Sequence, residues 1–551
     1  MLQNGAQILI QVLLEQGVER IFGYPGGAVL PIYDALYAYR DRITHYITAH
    51  EQGAAHAADG YARMTGKPGV VLATSGPGAT NLVTGLAAAY MDSVPMVAIT
   101  GNVDTALIGR DSFQEVYIAG ITMSVTKHNF IVRRTEDLAP TLRQAFRIAQ
   151  SGRCGPVLVD VPRDVALGLA SYTPEPAVQP DAASAPDPQD IAQAAKMLNR
   201  AARPMVCFGG GAVKASKKLR DLLEKAEIPA AHTLMGIGAL PFDHPLNLGL
   251  LGMHGKRSSN LAVDHADVLL AIGTRFSDRV AFHMDQFAHR AQIIHIDIDP
   301  SEINKNVQAA HSVVGDVHDV LSRLLPMVEP AAHRDWIQRI AAWKREDLPL
   351  EDDGETLTPY GVIRTLREAA GPDAIFTTDV GQHQMWAAQY LHHNRPHHFL
   401  TSGGLGAMGY GYGAAIGASL AAGKRPVIHI TGDGSFHMNL NETCTAVTYG
   451  IPVISVILNN RALGMVRQMQ GTFYGGRYSC SEPDRKTDYQ KVAEGFGAAG
   501  VRCETLSQLR TAFQNACKSH GPVWIECPIS REARVLPMIP TNGTVDDIIL
   551  K

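Results

Sequence analysis

A chain of 551 residues, 46% apolar and with a formal net charge of −4, has room for roughly three or four domains with ample cores. The near-neutral charge, with no basic run and no interleaving of basic and aromatic residues, excludes a polyanionic partner such as nucleic acid. No apolar run reaches membrane-spanning length, and seven scattered cysteines (154, 207, 444, 480, 503, 517 and 527) without a C-x-x-C pair read as reduced thiols of a cytoplasmic protein.

The first residues predict a folded helix and not a signal peptide. Ile8, Leu9, Val12 and Leu13 recur at helical spacing, no charged segment precedes them, and Gly17 ends the run. A strand at 18–22, the turn Gly23-Tyr24-Pro25-Gly26-Gly27, a helix and a short strand at 43–48 follow, and a helix opens at His50-Glu51. A strongly apolar strand at 69–74 leads through Ser75-Gly76-Pro77-Gly78 into another helix and a strand at 95–100, and the block closes on PVLVDVP at 156–162. Apolar strands separated by helices predict a parallel sheet covered on both faces.

Residues 171–189 are rich in Pro, Ala and Ser and nearly free of large apolar side chains, which predicts a surface linker. A second α/β block has strands near 204–208, 268–273 and 292–298, then a helical stretch through Trp336 and Trp343. A polar patch at 345–355 leads to a third block with strands near 374–378, 426–431, 452–458 and 523–527. The reading is α/β, three doubly wound parallel-sheet domains: 1–168, 190–345 and 357–551, with linkers at 169–189 and 346–356.

Two of these strands end in chemistry. Gly432-Asp433-Gly434 follows the strand at 426–431, and Leu458-Asn459-Asn460 closes the strand at 452–458. A hard divalent cation takes oxygen ligands and leaves room for phosphate oxygens. An Asp and an Asn at adjoining strand ends supply two such ligands at the rim where open α/β sheets bind ligands. A lone Gly-Asp-Gly is more often a turn; the paired Asn-Asn favours a metal–diphosphate site. Upstream, Glu51 stands where a strand hands over to a helix of small residues. Burial there would raise its carboxyl pKa and suit it to share a proton with a weak base; the plainer alternative is a carboxylate favouring a helix N-terminus.

With these motifs the chain resembles the catalytic subunit of acetohydroxyacid synthase (acetolactate synthase), a thiamine diphosphate enzyme, from end to end. The matching stretches are GYPGG at 23–27, HEQGAAHAADGYAR at 50–63, SGPGATN at 75–81, RDSFQE at 110–115, SGRCGPVLVDVP at 151–162 and LGMHG at 251–255. They continue with GTRFSDRV at 273–280, GQHQMWAAQ at 381–389, GGLGAMGYG at 403–411 and LNNRALGMVRQ at 458–468. The resemblance implies a pyrimidine-binding domain, a central FAD-carrying domain and a diphosphate-binding domain.

By that resemblance, Glu51 hydrogen-bonds the ring nitrogen of the cofactor's aminopyrimidine, and Met408 holds the cofactor bent. Asp433, Asn460 and the Ala462 carbonyl ligate Mg²⁺. Pro25, Gly76, Asn81, Gln382, His383, Gly406, Gly434, Ser435 and Met465 complete the thiamine diphosphate site. FAD falls to Arg153, His254, Gly273, Thr274, Arg275, Asp297 and Asp316. Gly26, Phe113 and Gln114 line the pocket from a neighbouring subunit, and Arg279 takes the acceptor's carboxylate, a task suited to its fixed charge and bidentate geometry. Arg163 replaces the Lys of several family members.

Met469 stands where the family usually has Trp, an exchange of a rigid aromatic face for a flexible thioether. The implied reaction decarboxylates pyruvate and joins the remainder to a second 2-oxo acid. Pyruvate gives 2-acetolactate, and 2-oxobutanoate gives 2-aceto-2-hydroxybutanoate, both on the route to branched-chain amino acids. A homodimer or dimer of dimers, with a possible separate regulatory small subunit, and a lid made of residues 470–486 and the tail after Arg531, come from the same resemblance. The alternatives are another pyruvate-processing thiamine enzyme (pyruvate oxidase-like, or a catabolic acetolactate synthase without FAD) and a silent cofactor-binding paralogue. Phe113-Gln114 and Arg279 oppose the oxidase reading, Arg153 and LGMHG the FAD-free one, and intact Glu51, Asp433 and Asn460 the silent one.

Overall fold

The structure, a computed structural model, describes residues 2–348 and 352–551. Part of the expected second linker, residues 349–351, therefore lies outside the described residues.

The first strand, β1 (Leu2–Asn4), leads into the helix Gly5–Glu15. The N-terminal sheet follows as β2 (Arg20–Tyr24), β3 (Thr44–Ile47), β4 (Gly69–Ala73), β5 (Met96–Asn102), β6 (His128–Ile131) and β7 (Pro156–Pro162). Its order is β3-β2-β4-β5-β7-β6 with every pairing parallel. β8 (Leu169–Ser171) returns to pair antiparallel with β1, fastening the start of the chain beside the domain's exit. The central sheet comprises β9 (Pro204–Phe208), β10 (Ala230–His232), β11 (Asn247–Leu250), β12 (Val268–Ile272), β13 (Gln292–Asp297) and β14 (His311–Val314), in the order β11-β10-β9-β12-β13-β14. The C-terminal sheet comprises β15 (Ile375–Thr378), β16 (Phe399–Leu400), β17 (Val427–Gly432), β18 (Val453–Asn459), β19 (Ala499–Arg502) and β20 (Val523–Pro528), in the order β16-β15-β17-β18-β20-β19.

Counted within each domain, the outer two sheets share the order 2-1-3-4-6-5, whereas the central one runs 3-2-1-4-5-6, the order of dinucleotide-binding sheets. Each order reverses direction beside its first strand, the outer two doing so again at their far edge, and the crevice outside the strand ends at such a reversal is where open α/β sheets take ligands. The reversals beside the first strands lie between β2 and β4, between β9 and β12, and between β15 and β17.

Strands buried on both faces read as continuous apolar runs, and β7, buried along its whole length, coincides with the run seen in the sequence. Truncating one such side chain, Leu158→Ala, would cost about 2–5 kcal/mol. β2 begins two residues later than expected because Val18 N–H still closes the preceding helix on the Leu13 carbonyl at 3.0 Å, a Schellman bond. The outer domains share one core across their boundary. The helix Glu51–Thr65 crosses the helix Tyr410–Ala422 so closely that a Cβ on Gly417 would lie 1.8 Å from the Ala57 carbonyl, and one on Gly60 2.2 Å from that of Ala414.

The expected first linker is strapped to the N-terminal domain: Val178 N–H donates to Gln16 at 3.0 Å, and Tyr172 hydroxyl to Glu15. The tail after Arg531 is equally anchored. Val535, Met538 and Ile539 are buried, and Ile539 N–H reaches the Met253 carbonyl of the central domain at 2.9 Å.

Candidate active site

The N-terminal rim is built around Glu51. After β3, His50 adopts an extended conformation and caps the next helix, its Nδ1 accepting from Gln52 N–H at 3.1 Å. Glu51 is thereby the first helical residue, and it is buried. One carboxylate oxygen accepts from Asn81 Nδ2 at 2.9 Å, and the other faces Gly78, where a Cβ would stand only 3.1 Å away. The turns after β2 and β4 complete this wall. Gly26, next to Pro25, approaches Thr74 so closely that a Cβ would be 2.5 Å from that side chain, and Thr74 Oγ1 is buried without a partner. Gly76 takes a left-handed φ of +57° against the backbone of Gln114. The structure thus brings Glu51, Gly26, Gly76, Asn81 and Gln114 to one switch point. Phe113 beside them is 87% exposed, and Arg163, also exposed, lies 4.0 Å from Asp104 at the end of β7.

The C-terminal rim gathers the metal motif. Gln382 and His383 open the helix after β15; Asp433, Gly434 and Ser435 open the helix after β17. Asn460, following β18, donates from Nδ2 to Gln382 Oε1 at 3.0 Å and accepts from Ala462 N–H at 3.2 Å. A Cβ on Gly434 would meet Leu463 at 2.6 Å with the Ala462 carbonyl at 3.9 Å, so Ala462 turns its oxygen towards this cradle. Asp433 Oδ1 is buried with no hydrogen-bond partner, and burial pushes the carboxyl up to about 6. A divalent cation reverses exactly that penalty, since it replaces lost hydration with a charge. His383 Nε2 is likewise unpartnered, and burial lowers this imidazole to about 4, leaving it neutral at pH 7. Among the described residues no cluster of three His, Cys, Asp or Glu side chains could hold a metal.

The glycine-rich run closes over this rim. Gly406 and Gly409 have φ of +71° and +85°, Gly409 N–H donates to Ser435 Oγ at 3.2 Å, and half-buried Met408 stands between them. Met465 packs against the domain core, and Met469, one turn further along the helix Gly464–Phe473, is half-buried.

In the central domain the crevice between β9 and β12 is lined by two glycine turns. Gly273, at φ +55°, approaches Gly211 so closely that a Cβ would be 2.5 Å from its Cα. Thr274 is buried, its carbonyl 2.9 Å from His295 Nε2. Arg275 is depressed by burial and by neighbouring Arg153. Arg153 bonds Glu302 at 2.8 Å and Ser93 at 2.9 Å, and burial raises Asp297 at the end of β13 to about 6. His254 is buried with Nδ1 unpartnered, and its carbonyl accepts from Gln389 at 2.9 Å. Asp316 stands apart beyond β14, capping the helix Val317–Leu324 through His318 and Asp319 N–H. Arg279 is exposed, 3.3 Å from Met253 Sδ, and none of the hydrogen bonds or ion pairs found among the described residues joins it to either outer rim within one chain.

Three family models divide the chain in the same way: thiamine pyrophosphate enzyme, N-terminal TPP binding domain over residues 3–121, central domain over 191–324, and C-terminal TPP binding domain over 379–527. The chain is 43% identical to the acetolactate synthase isozyme 1 large subunit of Escherichia coli K12, over 99% of this chain and 97% of that one. It is 43% identical to isozyme 2 of the same organism over the full length of both. With the probable acetolactate synthase large subunit of Methanocaldococcus jannaschii the identity is 44%, covering 99% and 95%. The chain belongs to the acetolactate synthase large subunits.

For a thiamine-dependent acetolactate synthase large subunit, the rim also holds residues that no sequence motif singles out. Asp379, at the end of β15, accepts from Thr431 Oγ1 and from Gly411 N–H, both at 2.6 Å, and faces His429 Nε2 at 3.2 Å. Burial opposes its charge, but His429 and these donors hold the carboxyl down at about 2. Glu442, from the C-terminal domain, reaches the turn before Glu51. The run Gly209-Gly210-Gly211 after β9 is legible in the sequence as a glycine turn following a buried strand. No helix among the described residues is long and apolar enough to cross a membrane.

Proposed function

We propose that the protein is a biosynthetic acetolactate synthase catalytic subunit, converting two pyruvates to 2-acetolactate and CO₂, or pyruvate and 2-oxobutanoate to 2-aceto-2-hydroxybutanoate. The observation that carries this is the buried, unpartnered Asp433 oxygen beside Asn460 and the Ala462 carbonyl, at the reversal of a sheet whose family is thiamine-dependent. When bound, thiamine diphosphate supplies the nucleophilic carbon that takes up a 2-oxo acid, releases its carboxylate as CO₂ and passes the two-carbon remainder to the second acid.

The chain's own residues bind, orient and move protons. Asp433, Asn460 and the Ala462 carbonyl would hold Mg²⁺, and Gln382, His383, Gly434 and Ser435 would offer donors to the diphosphate. Glu51, steadied by Asn81, shares a proton with the aminopyrimidine ring nitrogen, a low-dielectric exchange that general acid–base catalysis rewards by about 10²–10⁴-fold. Met408, on a loop fixed by Ser435, would hold the cofactor bent, with Gly406, Met465, Pro25, Gly76 and Asn81 completing its site. Arg279 marks the acceptor's carboxylate, Arg163 is a further substrate-binding position, and Gly26, Phe113, Gln114 and Met469 shape the acceptor's space.

The crevice between β9 and β12 fits a dinucleotide, and FAD is the dinucleotide proposed there. Its sheet has the dinucleotide-binding order, and its two glycine turns approach without side chains. Arg153, Thr274, Arg275 and Asp297 would hold its phosphates and ribose, with His254 and Asp316 as further members of the site. This crevice disfavours an FAD-free catabolic relative.

Phe113, Tyr117, Ile121 and Met123 are 87%, 64%, 42% and 67% exposed on one short stretch, an apolar surface that supports a homodimer or dimer of dimers with Glu51 and Asp433 contributed by different chains. The "large subunit" in the relatives' names supports a separate regulatory small subunit as well. Purified protein with thiamine diphosphate, Mg²⁺, FAD and pyruvate, then with added 2-oxobutanoate, tests the reading. 2-Acetolactate with CO₂ is expected; acetaldehyde, acetyl phosphate or no turnover would overturn it.

A further inference from the structure

Glu442 lies at the end of a short helical turn, Leu440–Glu442, directly after the helix Asp433–Asn439 that opens with the metal motif. It is fully buried, and its carboxylate bonds backbone of the N-terminal domain. Oε2 accepts from Ala49 N–H at 3.1 Å and Oε1 from His50 N–H at 3.0 Å, the two amides immediately preceding Glu51. Thr445 Oγ1 donates to Oε2 at 2.7 Å and fixes the group from behind. The fit is tight: a Cβ on Gly53 would lie 2.1 Å from Oε1. The His50 imidazole caps the helix from within the N-terminal domain at Gln52 N–H. Glu442 takes the amides that His50 leaves, and it does so from a residue 392 positions away.

We propose that Glu442 is a positioning residue for Glu51, fixing the turn at Ala49–His50 so that the Glu51 carboxylate stays aimed at the aminopyrimidine. The inference rests on the reading of Glu51 given above. Two consecutive amides held by one carboxylate pin the 48–49 and 49–50 peptide planes, so the chain enters the first helical residue in a fixed direction. A helix cap made within one domain would not need this. The link makes the aim of Glu51 depend on the packing of the C-terminal domain of the same chain. Misplacing a proton-sharing group by an ångström costs up to about a hundredfold, so the device acts on the chemistry of the cofactor and not on its affinity, which Asp433 and Asn460 govern.

The test uses holoenzyme with Mg²⁺ and thiamine diphosphate. In Glu442→Gln one of the two amides faces an NH₂ group in place of an oxygen. The rate at which the bound cofactor's thiazolium C2 proton exchanges with deuterium, read by NMR after acid quench, is expected to fall on the order of tenfold. Backbone amide exchange over residues 44–56 should rise in the same sample, and the dissociation constant for thiamine diphosphate should change by less than about threefold. Thr445→Val, which keeps the carboxylate and removes only the donor behind it, should give a smaller fall of the same kind and serves if the Gln variant does not fold. A C2 exchange rate unchanged in the folded variants, or a cofactor affinity that falls in step with it, overturns the proposal while leaving the reaction intact. Wild-type protein that binds the cofactor but exchanges no C2 proton overturns the proposal together with the reading of Glu51.

Discussion

Asp92 and Gly404, 312 residues apart, are joined by a 2.7 Å hydrogen bond from the Gly404 amide to the Asp92 carboxylate, and the neighbouring Gly403 amide reaches the other oxygen at 3.0 Å. Arg63 donates to the same carboxylate at 2.9 Å and to Asp59 at 2.6 Å; Asp59 in turn accepts from Tyr410 hydroxyl at 2.6 Å. The start of the glycine-rich run that carries Met408 is therefore tied to the N-terminal domain by buried charge. Asp92→Ala would leave Arg63 with one carboxylate and strand two amides. Losing one partner of a buried charge network costs about 3–5 kcal/mol. A fall of several degrees in the thermal midpoint of the purified protein is expected, and an unchanged midpoint would contradict it.

The cradle around the metal motif is equally sensitive at Gly464. A Cβ there would stand 2.0 Å from Gln382 Oε1 and 2.7 Å from Asn460 Nδ2, both already bonded to each other. Gly464→Ala must displace that pair, and ligands next to a metal tolerate little displacement. Affinity for thiamine diphosphate with Mg²⁺, read by titration of intrinsic fluorescence, should weaken by about 10–100-fold with little loss of global stability. Equal affinities would show that Gln382 and Asn460 are not the site.

How much of this was legible follows from where the information sits. The central strands announce themselves because both faces are buried, so β7 and β9 match their apolar runs residue for residue. Edge strands such as His128–Ile131 and Ala499–Arg502 are half-exposed and mixed in composition, and β16 is only two residues long; nothing local distinguishes them from loops. Asp433 and Glu51 are readable because glycines and small residues flank them. Asp92, Asp379 and Glu442 are ordinary acids in sequence, and their work appears only when amides from another element or domain meet them.

Asp160 gives the fold a pH dependence of its own. It sits inside β7, accepting from Thr100 Oγ1 at 2.7 Å and Asn102 Nδ2 at 2.6 Å. Burial prevails over these two donors and pushes the carboxyl up to about 7. A folded-state pKa above the unfolded value means that the native state binds the proton more tightly. The stabilisation is therefore fully present below about pH 4 and is lost as pH rises through about 7, up to roughly 4 kcal/mol for a shift of that size. Asp160→Asn removes this slope. Urea midpoints of both proteins at pH 5 and pH 8 should show the wild type losing more stability between the two; parallel losses would place the slope elsewhere.

Met469 decides acceptor choice if the helix Gly464–Phe473 faces the substrate as the family motif implies. Its half-buried thioether follows Gln468, whose side chain is fixed by Gln382 and by the Val535 carbonyl, both at 3.0 Å. The helix that presents Met469 is thus rigid while the side chain itself is not. A thioether moulds to either acceptor, whereas a Trp face would contact the extra methylene of 2-oxobutanoate and offer pyruvate less. One methylene in an apolar pocket is worth about 1–3 kcal/mol, or 10–200-fold in discrimination. Met469→Trp should accordingly raise the share of 2-aceto-2-hydroxybutanoate when the two acceptors compete, and should strengthen inhibition by planar sulfonylurea compounds that stack on an indole. Because Gln468 and not Met469 carries the hydrogen bonds, the substitution should leave thiamine diphosphate affinity unchanged. A product ratio equal to that of the wild type would move acceptor selection to the other wall, at Gly26, Phe113 and Gln114.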